Sequence, residues 1–598
     1  GIFRWEYDEV GNVVSQIDEN GHTSRFVYDE MNRLIQQTDA LGASQVYSYD
    51  EAGNLLAWTD ARGNVTGYAY DELDRLIAVT DALGGVSQFA YDAVGNTTAA
   101  TDAGGRTTAI IYDALNQPVR RNDPLGGTEQ FDYDAYGNLR TWTDANGNAT
   151  QYAYDAMDQL LSVTDARGGV TSYVYDAVGN LTAVTDANGH TTGYAYDGLN
   201  RVVQRTDALG GVYSLTYDAV GNVSSQQDEN GHVTRLRYDA LNRLVSLIDA
   251  LEGVTAWAYD AAGNVTSLTD ANGHATRYEY DELNRLFRQT DPSGFVQQLS
   301  YDAAGNLTSW TDELGYATTY QYDALQRLTS VTDAVGPVAA YAYDAVGNLT
   351  AVRDGLQRTT TYAYDALDRL VSISDPRDSV TSFSYDAVGN RLTVTDPLDQ
   401  TTRYAYDKLN RVTTVTDPLG HDRQYAYDAV DNVTQYTDRN GRVSTFEYDA
   451  LDRRIAEHWW EAGDVIRSFR FTYDAVGNLT AASDADSAYA VTYDALDRVT
   501  QVDNMGTPRA PHMVLDYAYD PVGNLLSLQD NLGVSVASAY DARDLLSSLV
   551  WQGGEIAPVR VEFDYSARGE LSEVRRFGDA QGLDAVGRST FSYDPRGR

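Results

Sequence analysis

A chain of 598 residues with no cysteine and a formal net charge of −43 is excluded from several classes at once. Disulfide frameworks, thiolate metal sites and cysteine nucleophiles are ruled out. Asp+Glu of 87 against Lys+Arg of 44 argues against nucleic acid or an anionic membrane as partner, since both need clustered cations. Apolar runs such as Ser548-Leu549-Val550-Trp551 are far too short to span a bilayer as helices, and Gly1-Ile2-Phe3-Arg4-Trp5 lacks the form of a secretory leader.

Read in chain order, the sequence is one repeat. Tyr-Asp recurs from Tyr7 through Tyr28, Tyr49 and onward to Tyr448 at every 21st residue, giving 22 units without an insertion. From Tyr473 through Tyr493, Tyr519, Tyr540, Tyr565 and Tyr593 the spacing loosens. The chain therefore divides into a regular array, 1–448, and an irregular stretch, 449–598. Each unit starts with a turn. One type reads Tyr175-Asp176-Ala177-Val178-Gly179-Asn180, the other Tyr196-Asp197-Gly198-Leu199-Asn200-Arg201. They alternate, so the true period is 42. The fourth place after tyrosine holds Gly, Asn or Asp, the residues that tolerate positive φ. Gln326 breaks this rule and is expected to be strained or to use another turn. A second turn follows, with Asp eleven and Gly usually fourteen places after tyrosine, as in Thr185-Asp186-Ala187-Asn188-Gly189. Between turns, segments such as Thr401-Thr402-Arg403-Tyr404-Ala405-Tyr406 alternate with period two and read as strands.

Two strands per unit predicts about fifty strands, a strip on the order of 250 Å long. Such a strip cannot stay flat, and winding on itself protects its edges. The expected fold is all-β: hairpins in a long strip that spirals into a large hollow barrel-like shell. A β-propeller is the second choice, kept open only by the 42-residue period.

These units, Tyr-Asp-Ala-x-Gly-Asn and Tyr-Asp-Ala-Leu-Asn/Asp-Arg-Leu, each followed by Thr-Asp, resemble the YD repeats of the Rhs family. That family includes bacterial polymorphic toxins, the C component of Tc toxins and teneurins. The resemblance implies a hollow shell around a toxic C-terminal domain, released in many members by an aspartate-dependent self-cleavage. Only Ser592-Tyr593-Asp594-Pro595-Arg596-Gly597-Arg598 compares with the motifs of that cleavage segment, and no protease residue is carried over.

No residue stands out as catalytic, cofactor-binding or metal-binding, and no cofactor is implied. His22, His190, His232, His274 and His421 share one turn slot, fifteen places after tyrosine. Slots 42 residues apart are about 19 Å apart in a sequential sheet, too far for one ion; they read as turn residues. His458 and His512 are read as packing or surface. Carboxylates recur in every unit and behave as scaffold rather than as a glycosidase pair, and the turn loops fail the EF-hand grammar, leaving room only for weak calcium. Paired tyrosines such as Tyr68/Tyr70 and Tyr152/Tyr154 share a sheet face and read as cross-strand packing, with carbohydrate binding as the rival. Trp459-Trp460, the loop Gly506-Thr507-Pro508-Arg509-Ala510-Pro511 and Trp551-Gln552-Gly553-Gly554 depart from the unit and suit capping or plugging of the shell.

The expected function is a non-enzymatic shell that holds a linked C-terminal toxin or effector until delivery, in a secreted or cell-surface bacterial protein. Its other partners are secretion machinery or carbohydrate, with no nucleic acid and no membrane span. The alternative is an extracellular repeat adhesin binding carbohydrate or another cell surface. The 22 aspartates after tyrosine and the 21 at the eleventh place account for the whole acid excess. The charge is thus a by-product of turn chemistry, and aspartates facing a cavity would favour a basic cargo.

Overall fold

The computed structural model describes residues 2–508 and 510–598; Gly1 and Arg509, named above, lie outside them. Fifty-five strands and no helix make up the described chain. Each strand pairs antiparallel with its sequence neighbours, as Ala149–Tyr154 does with Leu139–Thr143 on one side and Leu160–Thr164 on the other. Among the described residues the first and last strands pair with nothing beyond their single neighbour. The sheet is a meander that does not close through backbone hydrogen bonds.

The two hairpins of a unit differ. Across the first turn, Tyr152 faces Val163 and Ala153 faces Ser162, but Tyr154 faces Leu160, so Leu161 is an extra residue. The same bulge recurs at Tyr175, Tyr196 and Tyr217. Across the second turn the ladder is regular and only three pairs long, as in Ser162–Ser172, Val163–Thr171 and Thr164–Val170. A bulge adds local twist and bends its strand. Repeated once per unit in the same place, it curls the strip always in one sense.

The unit tyrosine bridges the open end of the regular ladder. Beyond the three-pair ladder the strands splay, and the Tyr175 hydroxyl donates to the carbonyl of Leu160 at 3.1 Å. Tyr196 does the same to Leu181 at 2.7 Å and Tyr217 to Val202 at 2.6 Å. Burial, with Tyr194 and Asp176 nearby, pushes the Tyr196 phenol above its usual range, which keeps the proton available for this bond.

There is almost no conventional core. Val415, Ala456, Val574 and Phe577 are the only buried hydrophobic residues among those described. The accessible surface is 32503 Å², whereas a compact protein of 65.7 kDa would expose about 21,000 Å². The excess means that water reaches both faces of a single-layer wall.

Candidate functional site

Each unit uses one turn chemistry twice. Asp176 Oδ1 accepts from the N–H groups of Val178 and Asn180, and its Oδ2 accepts from the Asn180 side chain at 2.9 Å. Ten residues on, Asp186 receives Asn188 and His190 in the same way. The fourth residue is left-handed in both turns, with φ of 96° at Gly179 and 88° at Gly189. Gln326, expected to deviate, adopts the same turn with φ 63° and donates its N–H to the Asp323 carbonyl at 3.2 Å. The turn's other hydrogen bonds hold it there.

The fifth residue links neighbouring turns and explains the alternation. In a Gly-Asn unit, Asn180 also donates to Asn200 Oδ1 of the next unit at 3.0 Å. In an Arg unit, Arg369 bonds Asp365 through Nε, donates Nη1 to the Asp386 carbonyl, each at 2.7 Å, and lies over the Tyr385 ring at 5.0 Å. A cation over an aromatic face is favourable. Asn suits a neighbour whose fourth residue has a side-chain carbonyl; Arg usually precedes Gly, and where Asp431 takes that place Arg411 bonds it at 2.7 Å while keeping the Asp428 carbonyl.

The histidines take this fifth place in the second turn. His22 Nδ1 lies 3.1 Å from Asp18 and His232 Nδ1 3.1 Å from Asp228; His190, His274 and His421 stand 3.4 to 3.6 Å from their own turn aspartates. No two of them form a metal-type cluster among the described residues. His458 packs on Ser468 and Glu447, and His512 on Asp503.

Winding then builds a feature that the sequence reading lacked. The second turn of each early unit meets first turns twelve and thirteen units later. Asn20 donates to Asp260, Asn146 to Asp386 and Asn188 to Asp428, and Arg167 to Asp407, each across 240 residues at 2.7 to 3.1 Å. Arg62 lies 3.5 Å from Asp302 and also donates to the Tyr322 carbonyl. The strip thus makes one turn in about twelve units, and a seam of side chains from turns fastens one layer to the next. Past residue 448 the separations become 244 for Asn230–Asp474 and 248 for Asn272–Asp520. Extra residues in the irregular stretch are absorbed within hairpins, and the unit-for-unit register holds.

The last three units change the contact. Where earlier units carry an apolar residue three places after tyrosine, these have Arg543, Arg568 and Arg596. Arg543 stacks on Phe295 at 5.0 Å, Arg568 pairs with Asp312 at 2.9 Å, and Arg596 grips Asp333 through Nε and Nη2. The Arg596 guanidinium lowers the Asp333 carboxyl to about 2. At Asp386 burial opposes ionisation, but hydrogen bonds from Asn146 and Asn390 outweigh it and the carboxyl titrates below its usual range. Asp428 follows the same pattern with Asn432 and Asn188.

The seam is also where ligand-sized space and metal-type donors lie. A cleft of about 650 Å³ is lined by Asn146, Arg167, Asp386 and Asp407. Asp270 and His274 meet Asp544 of the next layer with donor atoms within 4.8 Å of one another. Asp544 is exposed and already accepts from Asn524 at 2.8 Å, so the trio is accounted for as a seam contact. The turn aspartates sit at the strand ends, in the seam and the two rims.

No curated protein matches the chain. Among solved structures, a crystal structure of TcdB2-TccC3 matches at 14% identity and a TM-score of 0.44, covering 98% of this chain and 40% of that one. A Tc holotoxin pore of Photorhabdus luminescens matches at 18% identity and a TM-score of 0.39, covering 99% and 32%. The chain spans less than half the length of either. The RHS Repeat profile matches twelve times, at residues 7–44, 49–86, 91–128, 133–170, 175–212, 217–254, 259–296, 301–338, 343–380, 385–422, 427–458 and 467–504. The first ten matches begin at the tyrosine of a Gly-Asn unit, and as far as Tyr427 the matches step by 42, so the profile's unit is the pair of turns described above. On these twelve matches the chain belongs to the RHS repeat family.

Proposed function

We propose that this chain is a length of wall in a secreted bacterial shell that keeps a linked toxin or effector from its targets until delivery. The observation that carries the reading is the seam: a single-layer sheet wetted on both faces is wound on itself and held in register over twelve units. Twenty-four strands at about 4.8 Å give a girth of about 115 Å and a width of roughly 35–40 Å, rising to about 50 Å with the tilt usual in barrels. A compact domain of 100 residues, with a radius of gyration near 13 Å, fits such a lumen closely. The wall acts by exclusion and uses no catalytic group. The irregular stretch 449–598 fastens the last part of the strip through its three arginines and raises long hairpins over one rim. Tyrosine display, which an adhesin would need, is not favoured: the unit tyrosines from Tyr28 to Tyr565 are half-buried, and most spend their hydroxyls on the wall's own carbonyls.

A small ribonuclease fused after Arg598 tests the reading. Enclosure is expected to cut cleavage of a long RNA at least tenfold while hydrolysis of a dinucleotide continues, and to protect the enzyme from protease. Equal activity on both substrates in a folded, wound fusion would sink encapsulation.

A further inference from the structure

The dipeptide Asn-Gly occurs six times in the chain, beginning at Asn20, Asn146, Asn188, Asn230, Asn272 and Asn440. All six fill the third and fourth places of a second turn. The glycine is explained by its left-handed backbone, with φ from 77° at Gly441 to 93° at Gly21. The asparagine is not, since Leu83, Leu125 and Arg167 precede the same glycine in other second turns. Five of the six asparagines fasten the layers. Their Nδ2 groups donate to Oδ2 of Asp260, Asp386, Asp428, Asp474 and Asp520 at 2.9 to 3.1 Å. Each of these carboxylates also receives an asparagine amide from its own turn, as Asp428 does from Asn432. Where the seam uses cations, as Arg62 on Asp302 and Arg167 on Asp407, it uses them at other carboxylates. Asn440 sits in the same turn, is exposed and makes no seam bond among the described residues.

Asparagine before glycine is the pair most prone to lose its side-chain amide, because no Cβ on the following residue obstructs ring closure. The glycine nitrogen attacks Asn Cγ and forms a five-membered imide. The Cγ–Nδ2 bond breaks, and ammonia leaves with the proton that the glycine nitrogen gives up. Water then adds to one of the two imide carbonyls, and the ring opens to aspartate or isoaspartate. The sum is amide plus water to carboxylate plus ammonium, with nothing oxidised or reduced. The seam gives this chemistry room: a Cβ at Gly21, Gly147, Gly189 or Gly273 would have no atom within 4 Å, and all but Asn272 of the five asparagines are exposed. The turn holds it back. Each glycine N–H donates to its turn aspartate's carbonyl at 2.9 or 3.0 Å, and the seam bond ties the amide to the next layer, so attack needs local opening. The product sets one carboxylate against another at about 3 Å, where like charges repel.

We propose that the five seam Asn-Gly pairs are deamidation sites whose conversion turns the fasteners between layers into repelling pairs, so that the wound wall carries its own slow, irreversible release. Each conversion frees the neighbouring seam turns to open, and unwinding accelerates. The proposal concerns the wall and stands whether or not it encloses a cargo.

Ageing of the full chain in warm, mildly alkaline buffer, read site by site by mass spectrometry, tests this with Asn440 as the internal standard. Asn440 is expected to convert steadily from the start. The seam asparagines should convert about fivefold more slowly at first, while the layers hold them, and faster once small-angle scattering shows the particle expanding. Gly21→Gln, Gly147→Gln, Gly189→Gln, Gly231→Gln and Gly273→Gln together hinder ring closure, and Gln357 at φ 66° shows that a second turn accepts glutamine there. That chain should stay wound through an ageing period that unwinds the original. Asn188→Asp, Asn230→Asp and Asn272→Asp together mimic the product and should expand the fresh particle at neutral pH with its far-ultraviolet circular dichroism unchanged, whereas Asn440→Asp should not. Seam asparagines that stay intact overturn the proposal, as does a particle converted at the seam that remains wound. A fresh aspartate variant as compact as the original overturns it too, and so does a glutamine chain that unwinds as fast as the original.

Discussion

Tyr196 concentrates the chemistry of the unit in one side chain. Its ring packs on the sheet face shared with Tyr194, and its hydroxyl donates to the Leu181 carbonyl at 2.7 Å, beyond the last backbone pair of the three-pair ladder. Phenylalanine keeps the packing and removes that bond, so Tyr196→Phe should cost about 1 kcal/mol. In a repeat array the loss stays near the substituted unit. Hydrogen exchange is therefore expected to rise about fivefold in residues 181–196 and to be unchanged four units away; a loss spread over the whole chain would contradict nearest-neighbour coupling. At this scale the sequence was readable. Aspartate at a turn entrance, Gly or Asn at the left-handed place and period-two strands have local causes, and all are found where expected. Gln326 is the exception. Its side chain disfavours positive φ, but Asp323 and Arg327 hold the turn closed around it, and no local rule weighs those bonds.

The element of this fold is the pair of units. Asn180 needs Asn200 ahead of it, whereas Arg369 needs the Asp386 carbonyl and the Tyr385 ring. Two Gly-Asn units in succession would leave an Asn facing Gly, with no side-chain acceptor to reach; an Arg does accommodate a left-handed side chain, as Arg411 does Asp431 at 2.7 Å. Deleting 42 residues, such as 196–237, keeps the alternation at the new junction by giving Asn180 the side chain of Asn242. Deleting 21, such as 196–216, leaves Asn180 facing Gly221. The shorter deletion should therefore be the more damaging, lowering the melting temperature by several degrees more than the longer one. Equal melting temperatures would show the alternation to be inert. The period of 42 was plain in the sequence, but its reason was not, because the partner of each fifth residue lies 17 to 20 residues away across two strands. The seam left a fainter trace. Leu199 and Val178 at turn tips were visible as apolar residues in a polar place, and Arg543, Arg568 and Arg596 replace that residue in the last units. What could not be read was the number twelve, since the winding is set by twist accumulated over some two dozen strands and no single residue encodes it.

At the scale of the molecule, the hydrogen bonds and ion pairs that join layers among the described residues come from turn side chains, so the spiral is expected to loosen in acid before its hairpins do. Seam carboxylates such as Asp260, Asp386, Asp428 and Asp520 titrate below their ordinary value of 3.8: burial opposes their ionisation, but hydrogen bonds from Asn partners on both sides of the seam prevail. Asp333 lies lowest, at about 2, under Arg596. A depressed pKa in the folded state means that the stabilisation is complete above about pH 4 and is lost as pH falls through the folded value. The window is therefore pH 4 to 2. The net charge of −43 works the other way, because protonation relieves repulsion that resists compaction. That repulsion is long-ranged and falls off within about 10 Å at 0.1 M salt, whereas seam bonds of about 3 Å are not screened in this way. At 0.2 M salt the loss of the seam should win. Small-angle scattering is expected to show an expanded, partly unwound particle by pH 2.5 while far-ultraviolet circular dichroism keeps its β signal. Asn146→Ala with Asn188→Ala should bring the expansion on at a higher pH. A particle that stays wound at pH 2.5 would show that the layers are held by something other than these carboxylates.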